Sequence, residues 1–390
     1  MASLLQPEAR AGLRLTSVVQ HLRFLLSLAL IWGTLLLDLH GGWWLVSGLV
    51  LTYAVMLIGD VAFGDEDYES YEYHTLTLFD VLLYLAAPSL LCLIVVYAAL
   101  LTPGDLLLPV KHWLAAGGLD LYGAAARTTP LQAVLGALAT GLVVSVCGSA
   151  VGHELVHRTN NPLAVRLGRL LFAYSLDPAF STDHVHGHHL NVATYEDATS
   201  GRRGEPSFAF VPRAIAQSHV TAWKLEARRA RNNGRPALHL ANPYLQNVVL
   251  CLALLALVGA IGGWFAVAMF VLAGVWAQSK VALLNYVQHY GLVRVPGTRI
   301  EARHSWNSNR WISTSILFNL YLHSSHHGRP DRKFHELRPD AEVPLLPYGT
   351  LVMVFLAMTP HLWQRVMAKP LADWDERFAT PAERALLAQR

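Results

Sequence analysis

The sequence predicts an all-α integral membrane protein, with six transmembrane helices and a cytoplasmic histidine-rich helical cap. Three observations predict it. Of 390 residues, 53% are hydrophobic and only 15% charged, whereas about a quarter are charged in an ordinary soluble domain. The apolar residues collect in six segments, each close to the ~20 residues needed to cross the hydrocarbon layer. Twenty-seven of the 30 Lys and Arg residues fall before or within the first segment's opening turns or in two long polar regions, leaving Lys111, Arg127 and Lys280.

The segments run about 19–38, 42–63, 78–101, 131–151, 246–262 and 263–287, within a single domain spanning 1–390. "LHGGWW" joins the first two, its glycines suited to a tight turn and its tryptophans to an interface. "AIGGW" does the same for the fifth and sixth. No small-residue cleavage site follows the first apolar run, which therefore reads as a retained anchor.

With six spans, the N-terminus (Arg10, Arg14, Arg23), region 152–245 and region 289–390 share one side. The positive-inside rule makes that side the cytoplasm; a bacterial inner membrane is the expected setting. The acidic stretch 63–74 falls there too, but acidic residues carry little weight in the rule. "AWKLEARRAR" (222–231) reads as a helix with a basic, headgroup-facing side. A net charge of +3 gives no reason to expect a nucleic-acid partner. Cys92, Cys147 and Cys251 are widely spaced in apolar runs, which argues against a disulfide framework or a cysteine-held iron–sulfur cluster.

The 19 histidines are not scattered. His153 and His157 stand four apart, so on a helix both rings share a face. His184 and His188 repeat that spacing, with His189 turned about 100° further round. His323, His326 and His327 form an i, i+3, i+4 set. All three clusters border spans on one predicted side and could converge. Eight imidazoles are too many for one ion, since zinc sites are usually four-coordinate, and two metals are the economical expectation. Imidazole alone does not choose among zinc, copper, iron and nickel. A substrate arriving from lipid offers mainly unactivated C–H bonds, which favours redox metal and O₂ over hydrolysis.

These residues resemble the integral-membrane alkane 1-monooxygenases (AlkB type), within the membrane fatty-acid desaturase/hydroxylase superfamily. The resemblance covers about two thirds of the chain. The first box, HE-L-x-H-[KR], is "HELVHR" (153–158). The second, EHxxGHH, is "DHVHGHH" (183–189), followed by "NVATYED". The element N-Y-x-E-H-Y-G-L is "NYVQHYGL" (285–292), which adds His289. "RHSWNSN" (303–309), the third box "LHSSHH" (322–327) and the tail segments "LRPDAEVPLLPYG" and "LWQRVM" follow in family order.

The resemblance implies nine iron-ligating histidines: His153, His157, His184, His188, His189, His289, His323, His326 and His327. It further implies two non-haem iron ions, O₂ as co-substrate, no haem or flavin in this chain, and terminal hydroxylation of an alkane-like substrate. Electrons would come from rubredoxin or ferredoxin and an NAD(P)H-dependent reductase.

Two positions depart from the family pattern. Asp183 stands in place of Glu, and Gln288 replaces the Glu before His289. Glu154, Asp183, Gln288, His304, Asn307 and Asn309 are candidates for supporting the metal-bound rings, as such ligands usually have hydrogen-bonded partners. His186, His219, His239 and His335 are expected off the metal.

A membrane fatty-acyl desaturase or lipid hydroxylase is the nearest alternative. An intramembrane HExxH zinc protease with Glu154 as its base leaves His188, His189, His326 and His327 unexplained. A haem carrier would place its ligands inside the spans, not at their ends.

Overall fold

The computed structural model describes residues 19–65, 73, 76–101, 107–338 and 342–388. Most of the acidic stretch, together with Arg10 and Arg14, lies outside them.

The described residues contain helices and turns but no β-strand. The predicted first span is helical from residue 19 but breaks into a turn at 23–24 before α1 (Leu25–Asp38). At the break Arg23 is buried, and its guanidinium donates to Asn319 Oδ1 at 3.0 Å. α1 is thus shorter than a full crossing. α2 (Ser47–Phe63), α3 (Leu76–Leu101) and α6 (Pro130–His157) match the next three predicted spans, with α4 (Leu108–Ala116) and α5 (Leu121–Ala126) between the last two. α6 starts at Pro130 with Thr129 and Gln132 forming a reciprocal capping box, which satisfies N–H groups the helix itself leaves free.

The fifth and sixth predicted spans form one element, α10 (Pro243–His289), interrupted at Gly263 by φ 70°, ψ −168°. That conformation is open to glycine and costly for other residues. Trp264 beside it is 88% exposed, and Trp43 at the 39–46 turn is 65% exposed, the placement expected of interfacial tryptophan. Among the described residues, four helices are therefore long and apolar enough to cross a membrane: 42–63, 77–101, α6 and α10.

α10 packs along α6 and α3. The approach to α6 is closest at Gly141, where a Cβ would fall 2.4 Å from the Ala273 carbonyl oxygen. One continuous apolar core joins the spans to the polar regions. Those regions supply α7 (Pro162–Tyr174), the bent helical stretch α8 (180–191), α9 (Ser207–Asn232), α11 (Trp311–Ile316), α12 (His323–Gly328), α13 (Thr350–Ala357), α14 (Pro360–Arg377) and α15 (Pro381–Ala388).

Candidate metal centre

Four segments converge where α6 and α10 end. α6 contributes His153 and His157, α8 His184, His188 and His189, the last residue of α10 His289, and α12 His323, His326 and His327. Their donor nitrogens form two groups, each with all atoms within 4.8 Å of one another. The first contains His153, His157, His184, His189 and His326; the second contains His188, His289, His323 and His327. Eight of the nine are buried and His157 is half-buried.

This partition departs from simple helical spacing. His184 and His188 do not share a group, because 184–188 is a π-helical turn. His189 N–H reaches back five residues to the His184 carbonyl, and this wider turn brings the rings of His184 and His189 together, Nε2 to Nε2 at 3.2 Å. His188 is left facing the other group. In α12, His323 and His327 pair at 3.0 Å, while His326 turns to His189 at 3.1 Å.

The proton positions follow from the acceptors. His289 Nδ1 lies 3.2 Å from the His304 carbonyl, and His323 Nδ1 lies 3.1 Å from that of Leu320. A carbonyl only accepts, so both Nδ1 atoms carry the proton and both Nε2 atoms are bare lone pairs. Those lone pairs nevertheless face each other at 3.0 Å. Burial, and after it the charge of neighbouring imidazoles, drives the pKa values of His184, His189, His323, His326 and His327 well below the ordinary value. A neutral imidazole carries one N–H, and in the His289–His323 pair both are directed to carbonyls, so no proton lies between those facing Nε2 atoms. The Nε2 atoms of His153, His157 and His188 are buried without partners. A metal ion about 2.0–2.1 Å from each imidazole nitrogen sets neighbouring nitrogens about 3 Å apart, so both groups fit a bound cation.

Asp197, which nothing but its place in "NVATYED" singles out in the sequence, accepts from His188 Nδ1 at 2.8 Å. Burial disfavours its charge. The neighbouring His188 ring and its hydrogen bond, with bonds from Ser200 Oγ and the Thr199 N–H, nonetheless hold its pKa down to about 2. A carboxylate behind an imidazole fixes the ring's tautomer and raises its basicity. Ala193, in the same loop, has φ 60°. Its N–H donates to Ser200 Oγ, and Arg294 binds the Val192 and Leu190 carbonyls. The surroundings thus impose a conformation unfavourable for alanine.

The other predicted candidates take several roles. Glu154 is tied to Arg158 Nε at 2.9 Å and to the Phe334 N–H at 3.1 Å, leaving no free carboxylate oxygen for a protease base. Asp183 binds Ser218 Oγ at 2.6 Å rather than a ring nitrogen, and burial pushes its pKa up to about 7. Asn307 Oδ1 accepts from the Ser324 N–H at 2.8 Å, holding the first turn of α12. His304 acts twice: its carbonyl receives the His289 proton, and its Nε2 binds Glu383 Oε1 of α15 at 2.8 Å. Asn309 Oδ1 is buried without a partner. His186 is exposed, His239 is half-buried, His219 bonds Tyr244, and His335 stacks on Phe79, all apart from the two groups.

The sequence profile described as Fatty acid desaturase matches residues 128–357, a stretch containing all nine histidines. The chain is 36% identical over 255 residues to alkane 1-monooxygenase 1 of Pseudomonas aeruginosa, covering 64% of this chain and 66% of that one. Alkane 1-monooxygenase 2 of the same organism is 37% identical over 235 residues, 59% of this chain and 62% of the relative. The chain thus spans slightly less than two thirds of these two relatives. The xylene/toluene monooxygenase hydroxylase component of Pseudomonas putida is 36% identical over 258 residues, 66% of this chain and 69% of the relative.

Proposed function

We propose a reaction from one premise: this chain belongs to the fatty acid desaturase family. On that premise it is a non-haem diiron monooxygenase that hydroxylates a terminal C–H bond of an alkane or similar hydrophobic molecule. The observation that carries this reading is the set of buried Nε2 lone pairs turned toward one another in two groups.

His153, His157, His184, His189 and His326 would hold one iron, and His188, His289, His323 and His327 the other. Two irons held there supply the reductive activation of O₂ that an unactivated C–H bond requires. The balanced reaction takes RH, O₂, two electrons and two protons to ROH and water.

The chain's own residues orient and exclude. Asp197 and the carbonyls of His304 and Leu320 fix the tautomers of His188, His289 and His323, so the Nε2 atoms of these three rings present lone pairs. The apolar bundle brings a hydrophobic chain to the histidines and keeps water away.

Electrons come from a separate carrier, rubredoxin or ferredoxin with its NAD(P)H-dependent reductase. The relatives' names, which specify alkane and xylene/toluene, support a hydrocarbon substrate. The same reading makes residues 1–390 one domain with six spans in a bacterial inner membrane. Its termini and histidines face the cytoplasm, in keeping with the distribution of Lys and Arg.

The test is conversion by cells expressing the protein with electron carriers, using alkanes, methyl-arenes and fatty acyl compounds, with products identified by mass and metal content measured on purified protein. Alcohols together with about two irons per chain support the reading. An alkene from a saturated chain would instead establish a desaturase.

A further inference from the structure

Gln288 has no task in this scheme, although it directly precedes His289. Its side chain is 1% exposed. Its backbone carbonyl accepts from the Trp306 N–H at 2.8 Å, which fixes the local register. Its amide Nε2 has no hydrogen-bond partner. The residue lines a small cavity, about 20 Å³ and so with room for one small group, that borders both histidine groups, through His153 and His184 of the first and His323 of the second. Ser149 lines the same cavity, and its Oγ is also buried without a partner.

Leaving a buried amide donor unsatisfied is unfavourable. A cavity shaped only for saturated hydrocarbon would be better lined by leucine at this position. We propose that the cavity selects hydrophobic molecules carrying a neutral oxygen acceptor near the carbon presented to the histidines, with Gln288 Nε2 donating to that oxygen. This rests on the monooxygenase reading above.

A neutral amide donor pairs with a neutral acceptor without adding a charge to the cavity, which no Lys or Arg lines; the favoured oxygen is that of an ether, carbonyl or alcohol. Glutamate, which the resembling pattern carries at this position, offers only acceptors when ionised and would repel the same oxygen. Gln288 therefore reverses the hydrogen-bonding sense of the cavity without changing its size.

The experiment compares n-octane, hexyl methyl ether and heptanol, which have equal heavy-atom counts. Each is assayed with membrane-embedded protein, its electron carriers and Q288L or Q288E. The ether's intrinsic reactivity is common to all variants, so the readout is the change in the ether-to-octane ratio of kcat/KM. Losing one neutral hydrogen bond lowers that ratio by about 2- to 10-fold in Q288L, mostly through KM for the ether. Q288E lowers it at least as far. Q288E also carries the comparison alone if Q288L loses iron.

An unchanged ratio in iron-loaded variants overturns the proposal while leaving the reaction intact. A gain confined to heptanol overturns the donor assignment, because the amide oxygen would then be the partner. Absence of oxidation with all three substrates overturns the reaction itself, and this proposal with it.

Discussion

His289 and His323 face each other through Nε2 atoms 3.0 Å apart, although each ring has already directed its Nδ1 proton to a backbone carbonyl. Two lone pairs at that distance repel, so the arrangement calls for a cation. Removing one ring should leave the first group assembled. H289A is expected to hold about one iron per chain instead of two and to lose turnover, as measured by elemental analysis alongside the conversion assay. Two irons retained in H289A would refute the partition.

Asp197 anchors His188 from behind. D197N keeps an acceptor but removes the charge, and losses of this kind typically cost 10–100-fold in metal affinity. Iron should transfer to a chelator at correspondingly lower chelator concentration, while the single amide oxygen still accepts from either Ser200 Oγ or the Thr199 N–H.

Glu154 separates two chemistries. Held by Arg158 and the Phe334 N–H, it orients the segment before His335 and takes no part in proton transfer at the metal. E154Q should retain both irons and turnover within about threefold. It should lose about 1–3 kcal/mol of stability, the range for a charged hydrogen bond. Abolished turnover with intact iron would contradict this.

The Glu383 carboxylate is buried against its charge. Bonds from the Thr380 N–H, His304 and Arg303 outweigh that burial and hold its pKa down to about 2. A depressed carboxylate contributes stability above its unfolded value of about 4.5, and that contribution is lost as pH falls from there toward about 2. Thermal inactivation in detergent should therefore accelerate across this acidic window, and more weakly in E383Q.

Much of this was legible in the sequence. Runs of leucine and valine identify spans because burial in lipid needs nothing more specific than apolar length. Histidines mark themselves by spacing and by resemblance. What spacing could not convey is which ring joins which group. The assignment of His184, His188 and His189 turns on one π-turn, produced by packing around α8 rather than by local propensity. Glu383 was equally hidden, since it reaches His304 from 79 residues away. Asp197 sat in a recognised string without any periodicity to give it a role.

Packing between spans yields a separate prediction. At Gly141 an added Cβ would meet the Ala273 backbone at 2.4 Å, and backbone cannot rotate aside. G141V should destabilise by about 1–3 kcal/mol or more, seen as faster thermal inactivation with loss of iron. Unchanged inactivation would show that α6 and α10 can separate freely.

Both histidine groups draw on α12, one through His326 and the other through His323 and His327. During synthesis, then, the earlier histidines wait: a nascent chain that has not reached residue 323 owns four of five donors in one group and two of four in the other. Neither metal position is complete until the last span has been threaded and the following segment has folded back beneath it. On the diiron proposal, iron loading would thereby be a late event in biogenesis, and a chain truncated before α12 would be left in the membrane without a finished site.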